Sequence, residues 1–407
     1  MTDSLRALIR RHGTPLYVYR LDRVGQAARD LLAALPEASR LYYSVKANPH
    51  PALIAELSAL GLYAELSSTG ELAATLAAGH PASRCLYSGP GKTPGEIRTA
   101  IASGVRSFSV ESVADRGRLA EAARDLGADV DYVVRLNGGA TAGAGLRMTG
   151  RPTQFGTDVD QGIELAQLFT PLGRARPKGA HIFSGTNVAD SGQLLDEFRL
   201  AVGTIADALV SAPEPCELID LGGGFSAPFA RPGERADYPD LRVGLEKELD
   251  SRLPGWRLGK PVIAFESGRY LVADCGTLHA TVLDVKHSKG TTFVVLDAGV
   301  QTLGGMWGLG RLSTPSAQPL AGPGEPTTSP TLVGPLCTPL DVLGRHVALP
   351  PPKVGDVLEF PNVGAYGLSA SLVGFLSRPL PVEAVLDADG EIVDVRRLEL
   401  RPEKGLF

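Results

Sequence analysis

The sequence contains a lysine at a position suited to covalent chemistry. Lys46 directly follows an apolar and aromatic segment in YYSVKANPH. At the carboxyl end of a strand, partial burial favours the neutral, nucleophilic amine that forms Schiff bases with carbonyl compounds. Taken alone, a lysine at such a position is more often a residue that merely caps a strand. The role of Lys46 therefore has to be inferred from the residues at the other predicted strand ends.

Three consecutive glycines, Gly222, Gly223 and Gly224, follow another apolar segment in LIDLGGGFS. The backbone N–H groups of such a loop can close around an anion such as phosphate. A simple tight turn would have the same sequence. The glycines are not followed by Lys-Ser/Thr, which excludes a P-loop, and their spacing is not a dinucleotide-binding fingerprint.

Two further apolar segments end in polar residues. Glu266, in FESGRY, has the charge to pair with a protonated ring nitrogen, and Arg269 has the charge to contact a phosphate. An internal ion pair between Glu266 and Arg269 would also explain both residues. His181, which stands beside Ser184 in HIFSG, has a flat ring that can stack on a flat cofactor, although a lone histidine is more often structural.

The elements that must position these residues alternate from about residue 40 to about residue 275. Ala- and Leu-rich helical segments separate short apolar strands. The predicted strands are Leu41–Ala47, Leu62–Leu66, Cys85–Ser88, Ser107–Val110, Tyr132–Leu136, Gly179–Ile182, Leu218–Leu221 and Val262–Glu266. This alternation indicates parallel βαβ units, and eight of them predict an α/β fold of the (β/α)8 TIM-barrel type, with its chemistry at the strand carboxyl ends. Periodicity leaves an open parallel sheet as the alternative.

After about residue 275 the pattern changes to β-strands with hairpin signals. Apolar alternation flanks Asp389-Gly390, which is a strong turn signal. The segment Ser313–Pro330 is predicted to be an exposed loop, and the early strand Leu16–Tyr19 is able to join the β region. We therefore predict a barrel domain over residues 25–275 and a mostly β domain formed by residues 1–24 and 276–407.

The composition excludes several classes of protein. The 407 residues are 43% hydrophobic and 21% charged, as in ordinary globular proteins, and a net charge of -5 gives no basic surface for nucleic acid. No apolar run is long enough to cross a bilayer, and the first residues have no signal-peptide core. The four cysteines form no paired metal-ligand motif, so we expect reduced thiols, a cytoplasmic location and no metal site.

An ordered set of motifs identifies a family. The motifs are YYSVKAN, ELSSTGELAATLAAG, QFGTD, HIFSG, LGGGF, ESGR, GPLCTPLD and GAYG. In this order they resemble the alanine-racemase-like, fold-type III decarboxylases that depend on pyridoxal phosphate. That family includes diaminopimelate, ornithine and arginine decarboxylases, and the resemblance covers about residues 15 to 385.

The resemblance implies a cofactor site. It implies contacts with pyridoxal phosphate for Lys46, Glu65, His181, Ser184, Gly222, Gly223, Gly224, Glu266, Arg269 and Tyr366. It also implies that Glu65 and Glu71 lie beneath or beside the lysine and the ring. Lys46 would attach the cofactor, His181 would stack on its ring, and Glu266 would keep the ring nitrogen protonated. A protonated ring is the stronger electron sink. Because the related racemases have an arginine in place of this carboxylate, Glu266 favours decarboxylation over racemisation.

The resemblance also implies an oligomer. Cys337 would come from the partner subunit and, with His181, Lys46 and Glu266, complete the catalytic set by donating a proton to the substrate carbon. Asp341 would lie nearby as a substrate-binding residue. This arrangement requires a homodimer whose active sites are shared between subunits.

Two departures from the family pattern concern the substrate. The residue after the cysteine is Thr338 in place of Asp or Glu, so a distal ammonium group loses its usual partner unless another carboxylate such as Asp341 replaces it. After VVLDAG, an Arg-Pro-x-x-Tyr element is replaced by VQTLGGMWGLGRLSTP, which contains Trp307 and the candidate substrate-binding residue Arg311.

Both departures resemble the branch of the family that acts in antibiotic and siderophore biosynthesis. Its members decarboxylate amino acids that are already conjugated or attached to a carrier protein. We therefore expect such a modified amino acid as substrate. Diaminopimelate or basic amino-acid decarboxylation, racemisation or epimerisation, and a PLP-binding regulator without catalysis are the alternatives.

Overall fold

The computed structural model describes residues 3–138, 152–210, 212–213, 215–304, 306, 316–322 and 324–399. The chain divides into two compact units. One comprises Gly25–Ala227 and Ala236–Leu271, and the other comprises Met1–Val24, Pro228–Arg235 and Val272–Phe407. Among the described residues, no helix is long and apolar enough to cross a membrane.

Three elements come first in the chain. They are the helix α1 (Asp3–His12), the strand β1 (Leu16–Arg20) and the helix α2 (Leu21–Ala34). Leu8 of α1 is buried in one cluster with Leu16 and Val18 of β1. Helix α1 is therefore held to β1 by an apolar face.

The first unit is built on nine strands. They are β2 (Arg40–Ser44), β3 (Tyr63–Leu66), β4 (Cys85–Tyr87), β5 (Ser107–Val110), β6 (Val130–Asn137), β7 (Thr157–Asp158), β8 (Ala175–His181), β9 (Leu218–Asp220) and β10 (Val262–Ser267). Apart from the short β7, which pairs with β6, they run in the order β5-β4-β3-β2-β10-β9-β8-β6, and all these pairings are parallel. A further pairing of β5 with β6 closes the barrel. In the described part of the chain, the predicted eight-stranded barrel is thus confirmed over the open sheet.

Helices alternate with these strands. They are α3 (Pro51–Ala59), α4 (Thr69–Ala77), α5 (Pro94–Ala102), α6 (Val113–Asp125), α7 (Gly162–Leu168), α8 (Ser191–Leu209), α9 (Leu241–Arg252) and α10 (Arg269–Val272), with 3-10 turns at Val45–Ala47, Ala82–Arg84 and Trp256–Leu258. The side chains of Ser68, Thr93 and Ser112 accept hydrogen bonds from the first turns of α4, α5 and α6. These N-caps start each helix shortly after a strand ends, which keeps the strand-end loops short.

The barrel strands are held by a buried apolar cluster. Tyr42, Leu86, Val133, Leu218 and Ala264 come from five different strands and pack together. Alternate residues of each strand point inward, so the residues at the strand ends are carried by a packed scaffold.

The second unit is a β-sheet unit. Its further strands are β11 (Gly276–Ser288), β12 (Thr291–Leu296), β13 (Thr331–Val333), β14 (Val342–Gly344), β15 (Val357–Phe360), β16 (Val382–Leu386) and β17 (Ile392–Arg397), with a 3-10 turn at Phe375–Ser377. The sheet order is β14-β13-β12-β11-β1-β16-β17, and β15 pairs with β11. Strand β1 thus joins this sheet, which agrees with the prediction that the early strand Leu16–Tyr19 is able to join the β region. It runs antiparallel to β11 and parallel to β16.

Candidate active site

Lys46 lies just beyond the first barrel strand. Strand β2 ends at Ser44, three residues before the predicted end, and Lys46 is in the 3-10 turn that follows. The turn buries Val45 and Ala47 and leaves the Lys46 side chain 41% exposed. The amine is therefore held at the strand end but remains accessible from outside.

Glu65, at the carboxyl end of β3, holds the Lys46 amine. Lys46 Nζ donates to Glu65 Oε2 at 3.0 Å, and Glu65 Oε1 accepts hydrogen bonds from the hydroxyls of Ser67 and Ser88. Burial raises the pKa of Glu65, but the Lys46 ammonium and the Ser88 hydroxyl outweigh burial and hold that pKa below its usual value. Glu65 is therefore a carboxylate that orients Lys46.

Glu71 lies in the first turn of α4, next to this pair. Its Oε2 accepts a hydrogen bond from the Ser67 backbone at 2.6 Å, while Ser68 Oγ accepts one from the Glu71 backbone at 3.1 Å. Burial, with the Glu65 carboxylate adding to it, raises the pKa of Glu71 to about 7. This carboxyl group therefore titrates near neutral pH.

His181 is the last residue of β8 and is fully buried. A hydrogen bond of 3.0 Å joins its Nδ1 to Ser109 Oγ on β5. Burial, reinforced by the positive charges of Arg135, Lys46 and Lys92, lowers the pKa of His181 well below its usual value. The imidazole is therefore neutral.

Two buried carboxyl groups flank His181. Glu266 is on β10, Asp220 ends β9, and the donor atoms of these three residues lie within 4.8 Å of one another. Burial raises the pKa of Asp220 to about 7. Burial and the Glu65 and Asp220 charges raise the pKa of Glu266 well above its usual value.

Three atoms of this group lack hydrogen-bond partners among the described residues: His181 Nε2, Asp220 Oδ2 and Glu266 Oε1. Leaving such buried atoms unsatisfied costs about 1–3 kcal/mol each. A divalent cation would satisfy all three atoms, whereas the N–H of a protonated heterocycle would satisfy one carboxylate oxygen. Asp220 was not among the predicted site residues, although its place at a strand end, directly before Leu221 and the glycines, was the available signal.

The glycine loop follows Asp220 and Leu221. The Gly222 N–H donates to Asp220 Oδ1 at 2.9 Å, and Gly222 has a φ of +68°. A Cβ at Gly222 would lie 2.6 Å from the Ile182 carbonyl oxygen, and one at Gly223 would collide with the Glu266 carbonyl oxygen. Glycine is thus required for the loop to fit between the ends of β8 and β10, and its turned backbone is of the kind that binds anions.

The remaining predicted residues of the barrel unit follow two strand ends. Arg269 is buried and begins α10, directly after Gly268, whose α-carbon approaches the Ala47 side chain of the Lys46 turn. Ser184 is half-buried in the loop after β8. The strand ends of the barrel thus bring Lys46, Glu65, His181, Glu266, the glycine loop, Ser184 and Arg269 to one end of the barrel.

The other predicted residues belong to the β-sheet unit. Cys337 is exposed, and Thr338 next to it is half-buried, with its Oγ1 accepting a 3.3 Å hydrogen bond from the Leu340 backbone. Asp341 is buried. Tyr366 is half-buried and has a φ of +58°. Trp307 and Arg311 lie outside the described residues.

Comparisons with known proteins point to one family. Residues 21–273 match the family model described as "Pyridoxal-dependent decarboxylase, pyridoxal binding domain". The chain is 31% identical to the L-glutamyl-(BtrI acyl-carrier protein) decarboxylase of Niallia circulans, over 97% of this chain and 93% of that protein. It is 30% identical to the 2-((L-alanin-3-ylcarbamoyl)methyl)-2-hydroxybutanedioate decarboxylase of Staphylococcus aureus, over 90% of this chain and 92% of the relative.

A solved structure is similar over nearly the whole chain. The crystal structure of diaminopimelate decarboxylase from Helicobacter pylori, complexed with L-lysine, superposes with a TM-score of 0.83 at 26% identity, covering 97% of this chain and 95% of that one. The site geometry, the matching domain model and the full-length relatives agree. The chain therefore belongs to the fold-type III family of pyridoxal-phosphate-dependent decarboxylases.

Proposed function

We propose that this decarboxylase removes the α-carboxyl group of an amino acid whose distal end is conjugated or attached to a carrier protein. The observation that carries the proposal is the absence of a free carboxylate beside Cys337 in the described loop 334–341. Thr338 offers only a hydroxyl group, and the Asp341 carboxylate accepts hydrogen bonds from two backbone amides. A buried distal ammonium without a carboxylate partner costs several kcal/mol, so this loop suits a substrate without that charge.

The names of two relatives support the same substrate class. The Niallia circulans protein is named for an L-glutamyl group on an acyl-carrier protein. The Staphylococcus aureus protein is named for a substrate in which an alanine unit carries a carbamoyl linkage. Both names describe an amino-acid unit that is joined to a larger group. Biosynthesis of a secondary metabolite or siderophore is the setting that we infer for this chain.

The residues at the barrel strand ends fit pyridoxal phosphate. The unpartnered Glu266 Oε1 offers an acceptor for a protonated ring nitrogen, and the glycine loop offers backbone N–H groups for the phosphate. Bound there, the cofactor supplies an electron sink for the carbanion that remains when carbon dioxide leaves. We assign cofactor attachment to Lys46 and phosphate binding to Ser184, the glycine loop, Arg269 and Tyr366.

The protein's own groups then perform defined tasks. Glu65 orients the Lys46 amine, and neutral His181 provides a flat face that adds no positive charge beside the ring. Glu266 holds a proton at the ring nitrogen, which favours loss of carbon dioxide over racemisation. Thr338 and Arg311 are assigned to the distal part of the substrate.

Cys337 is assigned the transfer of a proton to the substrate carbon in the partner's site, within a homodimer. The β-sheet unit offers an apolar surface for this contact. Leu340 is 80% exposed beside Cys337, and Leu372 and Leu376 are at least half exposed on a neighbouring segment. Arg378 links the two segments by donating to the Pro335 carbonyl oxygen at 3.4 Å.

The test is carbon dioxide release by the cofactor-loaded enzyme. A glutamyl group on an acyl-carrier protein and small amide conjugates of amino acids should be turned over faster than free diaminopimelate, lysine, ornithine or arginine. Rapid turnover of any free amino acid would overturn the conjugate proposal. Diaminopimelate decarboxylation is the second candidate, because the chain superposes on the Helicobacter pylori enzyme over 97% of its length.

A further inference from the structure

Asp341 is a buried carboxylate that accepts hydrogen bonds from two backbone amides. Its Oδ1 accepts from the Val300 N–H at 2.8 Å, and its Oδ2 accepts from the Leu336 N–H at 2.7 Å. Leu336 directly precedes Cys337. One side chain, 2% exposed, therefore joins the loop that carries Cys337 to the segment that follows β12.

Two glycines make room for this carboxylate. A Cβ at Gly299 or at Gly334 would collide with the carboxylate oxygens of Asp341. Neither glycine has a positive φ, so backbone conformation does not require them. At both positions the carboxylate occupies space that a side chain would need, together with Gln301 Oε1 at Gly299 and the Gly299 α-carbon at Gly334, which indicates a closely packed contact.

The connection continues to the segment that carries Tyr366. The Val300 carbonyl oxygen accepts a hydrogen bond from Leu372 N at 3.3 Å. Gly304 N donates to Ser371 Oγ at 3.3 Å, and that hydroxyl donates to the Gly367 carbonyl oxygen at 2.7 Å. Residues 299–304 are thus bonded on one side to Asp341 and on the other to residues 367–372.

We propose that Asp341 is a positioning residue that does not contact substrate. It fixes the Cys337 loop against residues 299–304. Through Val300 it also fixes this loop against the segment that carries Tyr366. This deepens the proposed function and rests on it for the role of Cys337. Charge-assisted hydrogen bonds to two amides hold geometry better than neutral ones do. The start of the segment that leads to Arg311 and the residue that donates the proton are thereby held in one arrangement.

The first variant is Asp341→Asn in the cofactor-loaded enzyme. An amide has one oxygen, so one of the two backbone N–H groups must then face an NH2 group. Gly334→Ala is a second variant that keeps the carboxylate, because its methyl group would displace the Asp341 carboxylate and the Gly299 α-carbon, both of which belong to the proposed contact. Asp356→Asn is the matched control, since Asp356 Oδ2 accepts from the Lys353 backbone at 2.7 Å in the same unit, in a turn that carries no assigned residue.

Two measurements are made on each variant. Hydrogen exchange of peptides covering residues 299–304 and 334–341 follows the two amides without any substrate. Steady-state kinetics gives kcat and KM, together with the ratio of decarboxylated product to abortive transamination. We expect Asp341→Asn and Gly334→Ala to accelerate exchange in both peptides, lower kcat roughly tenfold and raise the abortive fraction, while KM changes less. Asp356→Asn should match the wild type in all of these.

The outcomes separate this proposal from the proposed function. Wild-type exchange, kcat and product ratio in Asp341→Asn would overturn the positioning role. A rise in KM alone, with exchange unchanged, would make Asp341 a substrate ligand and would equally overturn it. If exchange accelerates while the wild type decarboxylates none of the tested conjugates, the positioning role stands and the substrate proposal fails.

Discussion

His181 Nε2 lies 3.5 Å from Glu266 Oε1, and both atoms lack hydrogen-bond partners among the described residues. The imidazole is neutral because burial lowers its pKa, and burial also raises the pKa of the Glu266 carboxyl group. Burial therefore favours the uncharged form of both groups, and a positively charged partner would be needed to hold Glu266 as a carboxylate. In the proposed function, that partner is the protonated ring nitrogen of the cofactor.

Glu266→Gln should retain cofactor binding but lower kcat on the order of a hundredfold, because an amide is a poorer partner than a carboxylate for a protonated ring nitrogen. Cofactor absorbance and kcat are measured on the same preparation. Glu246→Gln serves as the control, since Glu246 forms a surface ion pair with Arg257. A variant with full cofactor and wild-type kcat would contradict the role of Glu266.

Ser109→Ala should lower kcat about fivefold, which corresponds to about 1 kcal/mol for one lost hydrogen bond. The Ser109 hydroxyl bonds to His181 Nδ1 at 3.0 Å and so fixes the orientation of the ring. Ser107→Ala, two residues earlier on β5, is the control. Equal kcat values for the two variants would remove Ser109 from the site.

Lys92→Met should destabilise the folded protein by about 3 kcal/mol, because it leaves the Asp115 charge buried with fewer partners. Lys92 Nζ lies 2.7 Å from Asp115 Oδ2, both side chains are 2% exposed, and the ammonium also donates to the Gly89 and Ser109 carbonyl oxygens. The free energy of unfolding is measured by denaturant titration. Arg174→Met, which breaks an exposed pair with Asp129, should cost less than about 1 kcal/mol.

Glu71→Gln should remove a pH dependence of stability. The pKa of Glu71 is raised from 4.5 to about 7 in the folded protein, so between these values the folded state binds more protons than the unfolded state does. The wild type should therefore lose stability, relative to Glu71→Gln, as pH rises from about 4.5 to about 7. The measurement is the free energy of unfolding of the cofactor-free protein across that range, with exposed Glu121→Gln as control. Parallel pH curves for wild type and Glu71→Gln would contradict the raised pKa.

Much of the barrel could be predicted because the spacing of apolar residues differs between strands and helices, and segments of the two kinds alternate along the chain. Lys46, His181 and Glu266 could be found for the same reason, since each follows or ends a strand. The exact strand ends could not be found this way. Lys46, for example, lies in a turn after β2. Val45 and Ala47 are buried in this turn as strand residues would be, so the apolar run YYSVKA shows no break where the strand ends.

The missed features depend on contacts between distant parts of the chain. Asp220 looks like an ordinary residue of a strand until the barrel places it beside Glu266. Ser109 is 72 residues from His181 in the sequence, and no local pattern pairs them. Asp341 could be suspected near Cys337 from the motif, but only the position of Val300 reveals what its second oxygen binds.

The place of β1 in the second unit has a consequence for folding during protein synthesis. Tyr19, in β1, donates a 2.8 Å hydrogen bond to Glu383, which is 364 residues away along the chain. On the ribosome, β1 is made almost first, yet its neighbour β16 is made almost last. The barrel strands can pair while synthesis continues, whereas β1 has to wait with open edges for nearly the whole chain. A messenger truncated before codon 382 should therefore yield a chain that aggregates, because β16 and β17 are missing and the edge of β1 that pairs with β16 stays open.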